Sequence, residues 1–210
     1  MLRPLLRRVI RYIPVGDSWE RFTSRFTTPQ MFGLGSRRNF PWYLEGESAV
    51  SVTAIDDVCN WLAGCEYLRD DELFNETDFW QHPRTFEHLR KGDCEDHALW
   101  AWRKLIELGY PAEFFVGQWF AGGDDPHGCH AWVVFERDGE RYLLEAVDKD
   151  RGTMIRPVRD VRAEYSPHFS VDERLTMHSY AGYLLYLRER AQWDAEPNIR
   201  WRRLKTTVGR

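Results

Sequence analysis

Hydrophobic residues recur at helical spacing in several segments of the chain. The longest run predicts a helix over 94–108, ended by the glycine and proline within 109–111. The same spacing predicts helices over 51–64 and 179–193, and a short helix is expected over 84–90. Three of these four helices therefore come before residue 110.

After residue 110 the pattern changes to that of β-strands. Residues 113–120 are predicted to form one strand, and residues 130–136 and 141–147 two more. Asp138-Gly139 lies between the last two runs and is a strong signal for a two-residue hairpin turn. Residues 148–178 show no clear pattern. Helices followed by an antiparallel sheet indicate an α+β fold rather than alternating β-α-β units.

The two-residue turn fixes which residues face each other across the predicted hairpin. His130 then faces Val147 and Trp132 faces Glu145, so that these four side chains share one face of the sheet. Glu145 becomes the diagonal neighbour of His130, whereas Asp148 falls on the opposite face. We therefore expect Glu145 to hold the His130 ring. Asp148 is the alternative if a one-residue bulge shifts the register.

The composition is that of a globular protein. Hydrophobic residues make up 43% of the 210 residues and aromatic residues 15%, which favours a packed core over disorder. The net charge of -4 gives no reason to expect nucleic acid as a partner. We expect an N-terminal extension over 1–48, a catalytic core over 49–160 and a mainly helical C-terminal extension of the same domain over 161–210.

Arginines concentrate at both ends of the chain. Residues 1–15 carry leucine, valine and isoleucine at helical spacing with arginines between them, which is an amphipathic stripe. Packing of this stripe on the protein's own core and contact with a membrane surface both remain open. No apolar run reaches the roughly 18 residues that a membrane-spanning helix needs, so no transmembrane segment is expected.

One of the four cysteines differs from the others by its position. Cys94 begins the predicted helix over 94–108, where unpaired backbone N–H groups and the positive end of the helix dipole favour the nucleophilic thiolate. Cys59, Cys65 and Cys129 are most simply buried apolar residues. The absence of any Cys-x-x-Cys pair and the low number of cysteines argue against a disulfide scaffold and indicate a reducing, cytoplasmic setting.

Cys94, His130 and Glu145 together support acyl transfer. Cys94 would attack a carboxamide carbon to form a thioacyl intermediate, and His130 would accept the thiol proton and return it to the leaving amine. Glu145 would orient the imidazole ring. The oxyanion needs hydrogen-bond donors, for which the candidates are the Cys94 backbone N–H, Gln81 and the Trp80 indole. The implied substrate is a protein or peptide.

Four short segments carry a family resemblance. They are Trp80-Gln81-His82-Pro83, Gly92-Asp93-Cys94-Glu95-Asp96-His97-Ala98, His130-Ala131-Trp132-Val133 and Tyr142-Leu143-Leu144-Glu145-Ala146. These segments resemble the transglutaminase-like superfamily and are most similar to the bacterial transglutaminase-like cysteine proteinases. The resemblance covers about residues 78–150. It implies a papain-like α+β fold, with the cysteine at a helix start packed on an antiparallel sheet, and a Cys–His–Asp triad.

Two features of the family bear on the site residues. The third triad residue is usually aspartate, and Glu145 stands at that position here. Some relatives bind calcium through acidic residues beside the cysteine, and these match Asp93, Glu95 and Asp96. Oxygen ligands of this kind suit calcium, although carboxylates at a helix start are equally explained by the helix dipole. No other cofactor is expected.

Three other functions stay open at this stage. Transglutaminase-type amine transfer shares the acyl-enzyme and differs only in the group that resolves it. The fold could also serve as a non-catalytic binding module. A structural zinc site would use Cys94, His127, Cys129 and His130, although their spacing is tight for tetrahedral ligation. The glycine-rich stretch over 122–128 is expected to form a loop beside the site.

Overall fold

A computed structural model describes residues 16–26, 32–120 and 128–193. The strands in these ranges are β1 (Arg21–Phe26), β2 (Glu66–Tyr67), β3 (Lys91–Gly92), β4 (Ala112–Trp119), β5 (Cys129–Arg137), β6 (Glu140–Leu144), β7 (Ile155–Pro157), β8 (Tyr165–Val171) and β9 (Thr176–Tyr180). Seven of them form one sheet in the order β1-β9-β8-β4-β5-β6-β7. Every neighbouring pair in this sheet is antiparallel. β2 and β3 form a separate parallel pair.

The helices in the described residues are mostly short. They are α1 (Phe40–Leu44), α2 (Ile55–Ala63), α3 (Asp70–Leu73), α4 (Pro83–Leu89), α5 (Cys94–Glu107), α6 (Val158–Val161) and α7 (Ala181–Trp193), with a 3-10 turn over Arg162–Glu164. The predicted helices over 84–90 and 94–108 correspond to α4 and α5. The predictions over 51–64 and 179–193 were too long at their N-terminal ends, because α2 begins at Ile55 and α7 at Ala181.

The α+β fold predicted from the sequence is confirmed. The long helix α5 packs on β4 and β5 with the cysteine at its first residue. Trp100 and Trp102 of this helix are completely buried, and the Trp102 indole donates to the Ala112 carbonyl at 3.1 Å. Burial of side chains of this size contributes about 1.5–3 kcal/mol each. Packing of this helix therefore fixes where Cys94 meets the sheet.

Both faces of the sheet are covered. Alternate residues of β5 serve the two sides, with Val133 in the core beneath α5 and Trp132 in a second core on the opposite face. In that second core the rings of Phe115 and Trp132 stack with centroids 5.6 Å apart. Tyr165 belongs to the same cluster. Both faces of the sheet therefore pack against a hydrophobic core, whereas many antiparallel sheets leave one face in contact with solvent.

The β5–β6 hairpin has the register predicted from its turn. Val133 pairs with Leu144, and the pairing continues in step to the end of the ladder. Asp138 and Gly139 both have positive φ, at 55° and 77°, as a type I′ turn requires. The strand predicted over 141–147 was too long, because β6 ends at Leu144 and the next residues turn toward β7.

Three strands lie outside the predicted core over 49–160. β1 comes from the region predicted as an N-terminal extension, and β8 and β9 from the region predicted to be mainly helical. All three belong to the main sheet. The expectation of a mainly helical 161–210 segment was therefore wrong for residues 165–180.

Within the described ranges, no helix has the length and apolar character needed to cross a bilayer. The amphipathic stripe predicted over 1–15 lies outside these ranges.

Candidate active site

A cleft of about 370 Å³ lies where the start of α5 meets the start of β5. Cys94 and His130 both line it, so the predicted nucleophile and base share one site. Further lining comes from the segment that connects α2 to α4, including Tyr67, Asp70 and Trp80.

Cys94 lies against the strand that carries His130. The residue before it, Asp93, has an extended backbone, and the helix begins at Cys94 itself. The Cys94 thiol donates to Glu95 Oε2 at 3.3 Å. The Ala131 backbone N–H, from the residue that follows His130, lies near enough to favour the thiolate. The sulfur therefore lies at the junction of helix and strand.

The surroundings of Cys94 favour the protonated thiol. Burial raises the pKa of Cys94 well above its usual value, and the carboxylates of Glu95 and Asp93 raise it further. The Ala131 N–H acts in the opposite direction but is the weaker influence. The helix start was expected to favour the Cys94 thiolate. The structure does not support this expectation, because burial and the adjacent acids outweigh the helix dipole.

Glu145 holds the His130 ring. His130 Nε2 lies 2.9 Å from Glu145 Oε2 and 3.0 Å from Oε1, and both side chains are nearly buried. The Tyr165 hydroxyl donates to Glu145 Oε2 at 2.9 Å. Because both contacts to Glu145 use Nε2, Nδ1 is the ring nitrogen left for exchange with a thiol. The predicted neighbour relation between His130 and Glu145 is thus present.

Asp148, the alternative partner for His130, makes its hydrogen bonds in the turn after β6. Its Oδ1 accepts from the Asp150 backbone N–H at 2.9 Å and its Oδ2 accepts from the Thr153 hydroxyl at 2.6 Å. These bonds close the turn that leads into β7. The structure therefore places Glu145, and not Asp148, against His130.

Both side chains predicted as oxyanion donors are committed to other partners. The Trp80 indole N–H donates to Asp78 Oδ1 at 3.0 Å. The Gln81 amide nitrogen donates to the Lys91 carbonyl at 3.0 Å and to Asp96 Oδ2. Gln81 is buried and does not line the cleft. In this structure the predicted donors Gln81 and the Trp80 indole bond to these partners, so their role at the oxyanion stays a prediction.

Asp96 ties the segment before α4 to the cysteine helix. Its Oδ1 accepts from the Gln81 backbone N–H at 2.7 Å, in addition to the amide bond. A Cβ at position 92 would lie 2.3 Å from Asp96 Oδ2 and 2.7 Å from Gln81 Nε2. Only glycine fits there, so Gly92 of the Gly-Asp-Cys run permits this close approach.

Several acidic side chains cluster around the cysteine with unsatisfied oxygens. Within the described part of the chain, Asp70 Oδ1, Asp93 Oδ1 and Glu95 Oε1 are buried and have no hydrogen-bond partner. Burial raises the pKa of Asp70 to about 6 and raises the pKa values of Asp93, Glu95 and Asp96, with mutual repulsion adding to the rise. Unpaired buried carboxylates of this kind are expensive, so the cluster fits a bound proton or a cation.

The geometry of the cluster suits a cation with hard oxygen ligands. Ligand atoms of Asp70, Asp93 and Asp96 lie within 4.8 Å of one another, and so do those of Asp70, Asp78 and Glu95. Carboxylate oxygens are the ligands that Ca²⁺ prefers. Asp93, Glu95 and Asp96, the residues predicted for calcium, thus sit together, and Asp70 and Asp78 join them from a segment that the motif does not include.

The residues proposed as zinc ligands do not form such a cluster in the described part of the chain. No group of three metal-ligating side chains in the described residues includes Cys129 or His130. Cys129 is exposed and His130 is bonded to Glu145. His127, the remaining ligand in that hypothesis, lies outside the described residues, as does most of the glycine-rich loop predicted over 122–128.

Sequence reasoning missed four residues of the site. Tyr67, Asp70 and Asp78 lie in a stretch that reads only as an acidic connection, and Tyr165 lies in the stretch without a clear pattern. A signal was present for Asp70, since acidic residues are dense between positions 56 and 96. No local signal marks Tyr165, because its contact with Glu145 spans 20 positions of the chain.

Comparisons with family models and with curated proteins give no significant match. Among solved structures, the chain is similar to calcium-bound LapG from Legionella pneumophila, with 19% identity and a TM-score of 0.44 over 57% of this chain and 64% of that one. It is also similar to a candidate cysteine protease from Cytophaga hutchinsonii, with 16% identity and a TM-score of 0.37 over 66% and 48% of the two chains. The chain therefore spans less than two thirds of either protein. Both likenesses are weak, and the fold seen in the structure itself is α+β.

Proposed function

We propose that this protein is a cysteine-dependent acyl-transfer enzyme that hydrolyses peptide or side-chain amide bonds. The observation that carries this proposal is the bonded chain from Tyr165 through Glu145 to His130, which ends in the same cleft as Cys94. A nucleophile, a base and a group that orients the base are the three parts that acyl transfer requires.

In the proposed reaction, His130 Nδ1 accepts the thiol proton as the Cys94 sulfur adds to the amide carbon. Glu145 stabilises the resulting imidazolium through Nε2 and keeps the ring in one orientation. Collapse of the tetrahedral adduct breaks the C–N bond, and the proton passes from His130 to the leaving amine. Water then hydrolyses the thioester with His130 as base, which returns the thiol and releases a carboxylic acid.

Burial and the acidic cluster set the resting state of this reaction. Because burial raises the pKa of Cys94 and Glu95 and Asp93 raise it further, the thiol is protonated at rest and depends on His130 for activation. We assign to Asp70, Asp93, Glu95 and Asp96 the binding of a Ca²⁺ ion, whose charge when bound would offset theirs beside the sulfur. Three orphaned oxygens support this assignment.

The experiment uses the purified full chain with fluorescently labelled casein as substrate, in calcium chloride or in EDTA. We expect release of small fluorescent peptides by the wild type and none by Cys94→Ala. Cys129→Ala is the matched control, since Cys129 lines the same cleft but is not assigned a role. This variant should keep its activity.

Dansylcadaverine added to the same reaction separates the alternatives. Its incorporation into casein with little hydrolysis would replace hydrolysis by amine transfer. Iodoacetamide measures the thiol independently of any substrate. A Cys94 alkylation rate no faster than that of a free thiol, together with no reaction of casein, would overturn the enzymatic proposal in favour of a binding module.

A further inference from the structure

The cleft needs a second oxyanion donor. The Cys94 backbone N–H stands at the start of α5, where the helix itself leaves N–H groups unpaired. Trp80 and Gln81 are committed to Asp78 and Asp96. Stabilisation of a tetrahedral oxyanion by one donor alone is unusual, since such sites commonly present two.

Tyr67 is held beside the cysteine by the backbone. It lies on β2, which pairs in parallel with β3 directly before Asp93 and Cys94. The Glu66 N–H donates to the Arg90 carbonyl, and the Leu68 N–H to the Gly92 carbonyl, both at 2.9 Å. These two bonds flank Tyr67, so its Cα is fixed relative to the start of the cysteine helix.

The ring of Tyr67 is fixed as well. It stacks on the His97 imidazole, with centroids 6.3 Å apart and planes 29° apart. His97 is completely buried, and its Nδ1 lies 2.8 Å from the Asp93 carbonyl. The phenol is nevertheless 49% exposed and lines the cleft with Cys94 and His130. A rigid ring with an accessible hydroxyl is what a preorganised donor requires.

The Tyr67 hydroxyl stays protonated in the cleft that it shares with Cys94. Burial raises the pKa of Tyr67, and the neighbouring acids Asp93 and Glu95 raise it further. The phenol is therefore a neutral donor throughout the pH range in which the enzyme would work.

The other donors in the described lining are less suitable. Arg69 is paired with Asp71 at 3.1 Å, and both side chains are more than half exposed. Thr77 lies in a bend between α3 and α4 rather than on a paired strand, and the Cys129 thiol is a weak donor. Tyr67 is the remaining neutral hydroxyl held in a fixed position.

We propose that the Tyr67 hydroxyl donates a hydrogen bond to the oxyanion formed when Cys94 adds to a carbonyl carbon, together with the Cys94 backbone N–H. This inference rests on the proposed acyl-transfer function. It assigns no proton transfer to Tyr67, because the hydroxyl stays protonated throughout and only its hydrogen bond strengthens as charge develops on the oxygen.

The test compares two reactions of the same sulfur in Tyr67→Phe, which keeps the ring and its stacking on His97. Acylation by p-nitrophenyl acetate passes through an oxyanion, whereas alkylation by iodoacetamide does not. We expect the burst rate of acylation to fall about 100-fold, in the range found for loss of one oxyanion donor. The alkylation rate and its pH profile should stay within two-fold of the wild type.

Controls keep the outcomes separate. Tyr110→Phe also loses one phenol hydroxyl, from a ring that packs on Phe135 away from the cleft, and should behave as the wild type. Cys94→Ala gives the background rate of ester hydrolysis. Unchanged acylation in Tyr67→Phe would overturn the inference, and so would an equal fall in acylation and alkylation, which would show a structural role. A wild type that acylates no faster than Cys94→Ala would overturn the proposed function, and this inference with it.

Discussion

The two sides of the cleft differ in how completely their polar groups are satisfied. On the sheet side, His130, Glu145 and Tyr165 form a closed chain of hydrogen bonds with distances near 2.9 Å. On the helix side, Asp70 and Glu95 each retain a buried oxygen without a partner in the described residues. The hydrogen bonds of the sheet side are therefore complete within the fold, whereas the carboxylates of the helix side fit an additional proton or cation.

This difference separates two tasks within one site. The base and its orienting carboxylate depend on strand register, which folding fixes once the hairpin has formed. The state of the nucleophile depends on burial and local charge, because burial raises the pKa of the Cys94 thiol and Glu95 and Asp93 raise it further. The first task should respond to substitutions in the sheet, and the second to pH and to divalent ions.

The largest expected effect comes from removing the charge on the sheet side. Glu145→Gln keeps the size of the side chain but cannot stabilise an imidazolium, so we expect kcat to fall about 1000-fold, or about 4 kcal/mol. Steady-state hydrolysis of labelled casein measures this change. Glu145→Asp, which restores the charge on a shorter side chain, should recover part of the activity. A fall of less than ten-fold in Glu145→Gln would show that the ring needs no negative partner.

The next effect tests the helix side. We expect saturating calcium chloride to raise the midpoint of thermal unfolding by about 5–10 °C, since an ion at 100 times its Kd adds about 2.7 kcal/mol. Glu95→Gln should lose most of this rise, whereas Glu145→Gln should keep it. Thermal scans with calcium chloride and with EDTA provide the measurement. An equal rise in both variants would place the ion elsewhere, and no rise in the wild type would remove it from the site.

The hairpin and the cysteine helix could be predicted because their signals are local. Asp138-Gly139 forms a two-residue turn, and the register that it sets places Glu145 on the same face of the sheet as His130. The helix over Cys94–Glu107 follows from the spacing of its buried residues. Both predictions needed only residues close in sequence.

The interior strand β8 was not predicted from the sequence. Its polar residues Ser166, His168 and Ser170 alternate with apolar ones, but they are buried because both faces of the sheet are covered. It also contains Pro167, which ordinarily argues against a central strand. Pro167 is tolerated where the register with β4 shifts, opposite Gly117. Tyr165, which completes the sheet side of the site, begins this strand.

The present partners of the candidate oxyanion donors could not be predicted for a different reason. The sequence shows that Trp80 and Gln81 can donate hydrogen bonds, but it does not show which acceptors lie beside them in the folded protein. Asp78 takes the indole N–H and Asp96 takes the amide. Competition among partners brought together by tertiary packing is not encoded in residue spacing.

A smaller effect should follow from loosening the sheet side without removing its charge. Tyr165→Phe deletes one hydrogen bond to Glu145, and bonds to charged groups are worth about 1.5–3 kcal/mol. Because His130 still binds both carboxylate oxygens, we expect a fall in kcat of about ten-fold with little change in KM. Tyr142→Phe is the matched control, since its hydroxyl bonds Glu140 in the hairpin, outside the cleft. A loss as large as that in Glu145→Gln would mean that Tyr165 positions the whole pair.

The smallest effect is a pH dependence of stability on the helix side in EDTA. Burial raises the pKa of Asp70 from 3.8 to about 6, so the folded state holds this proton more tightly than the unfolded chain does. The extra stability is therefore present below about pH 4 and is lost as the pH rises through 6. Asp70→Asn escapes this loss, and its melting temperature relative to the wild type should increase by a few degrees between pH 4.5 and pH 7. With saturating calcium chloride the order at pH 7 should reverse, because the wild type alone keeps all the proposed ligands. A difference that stays constant with pH would show that Asp70 is ionised in the folded protein at all of these pH values.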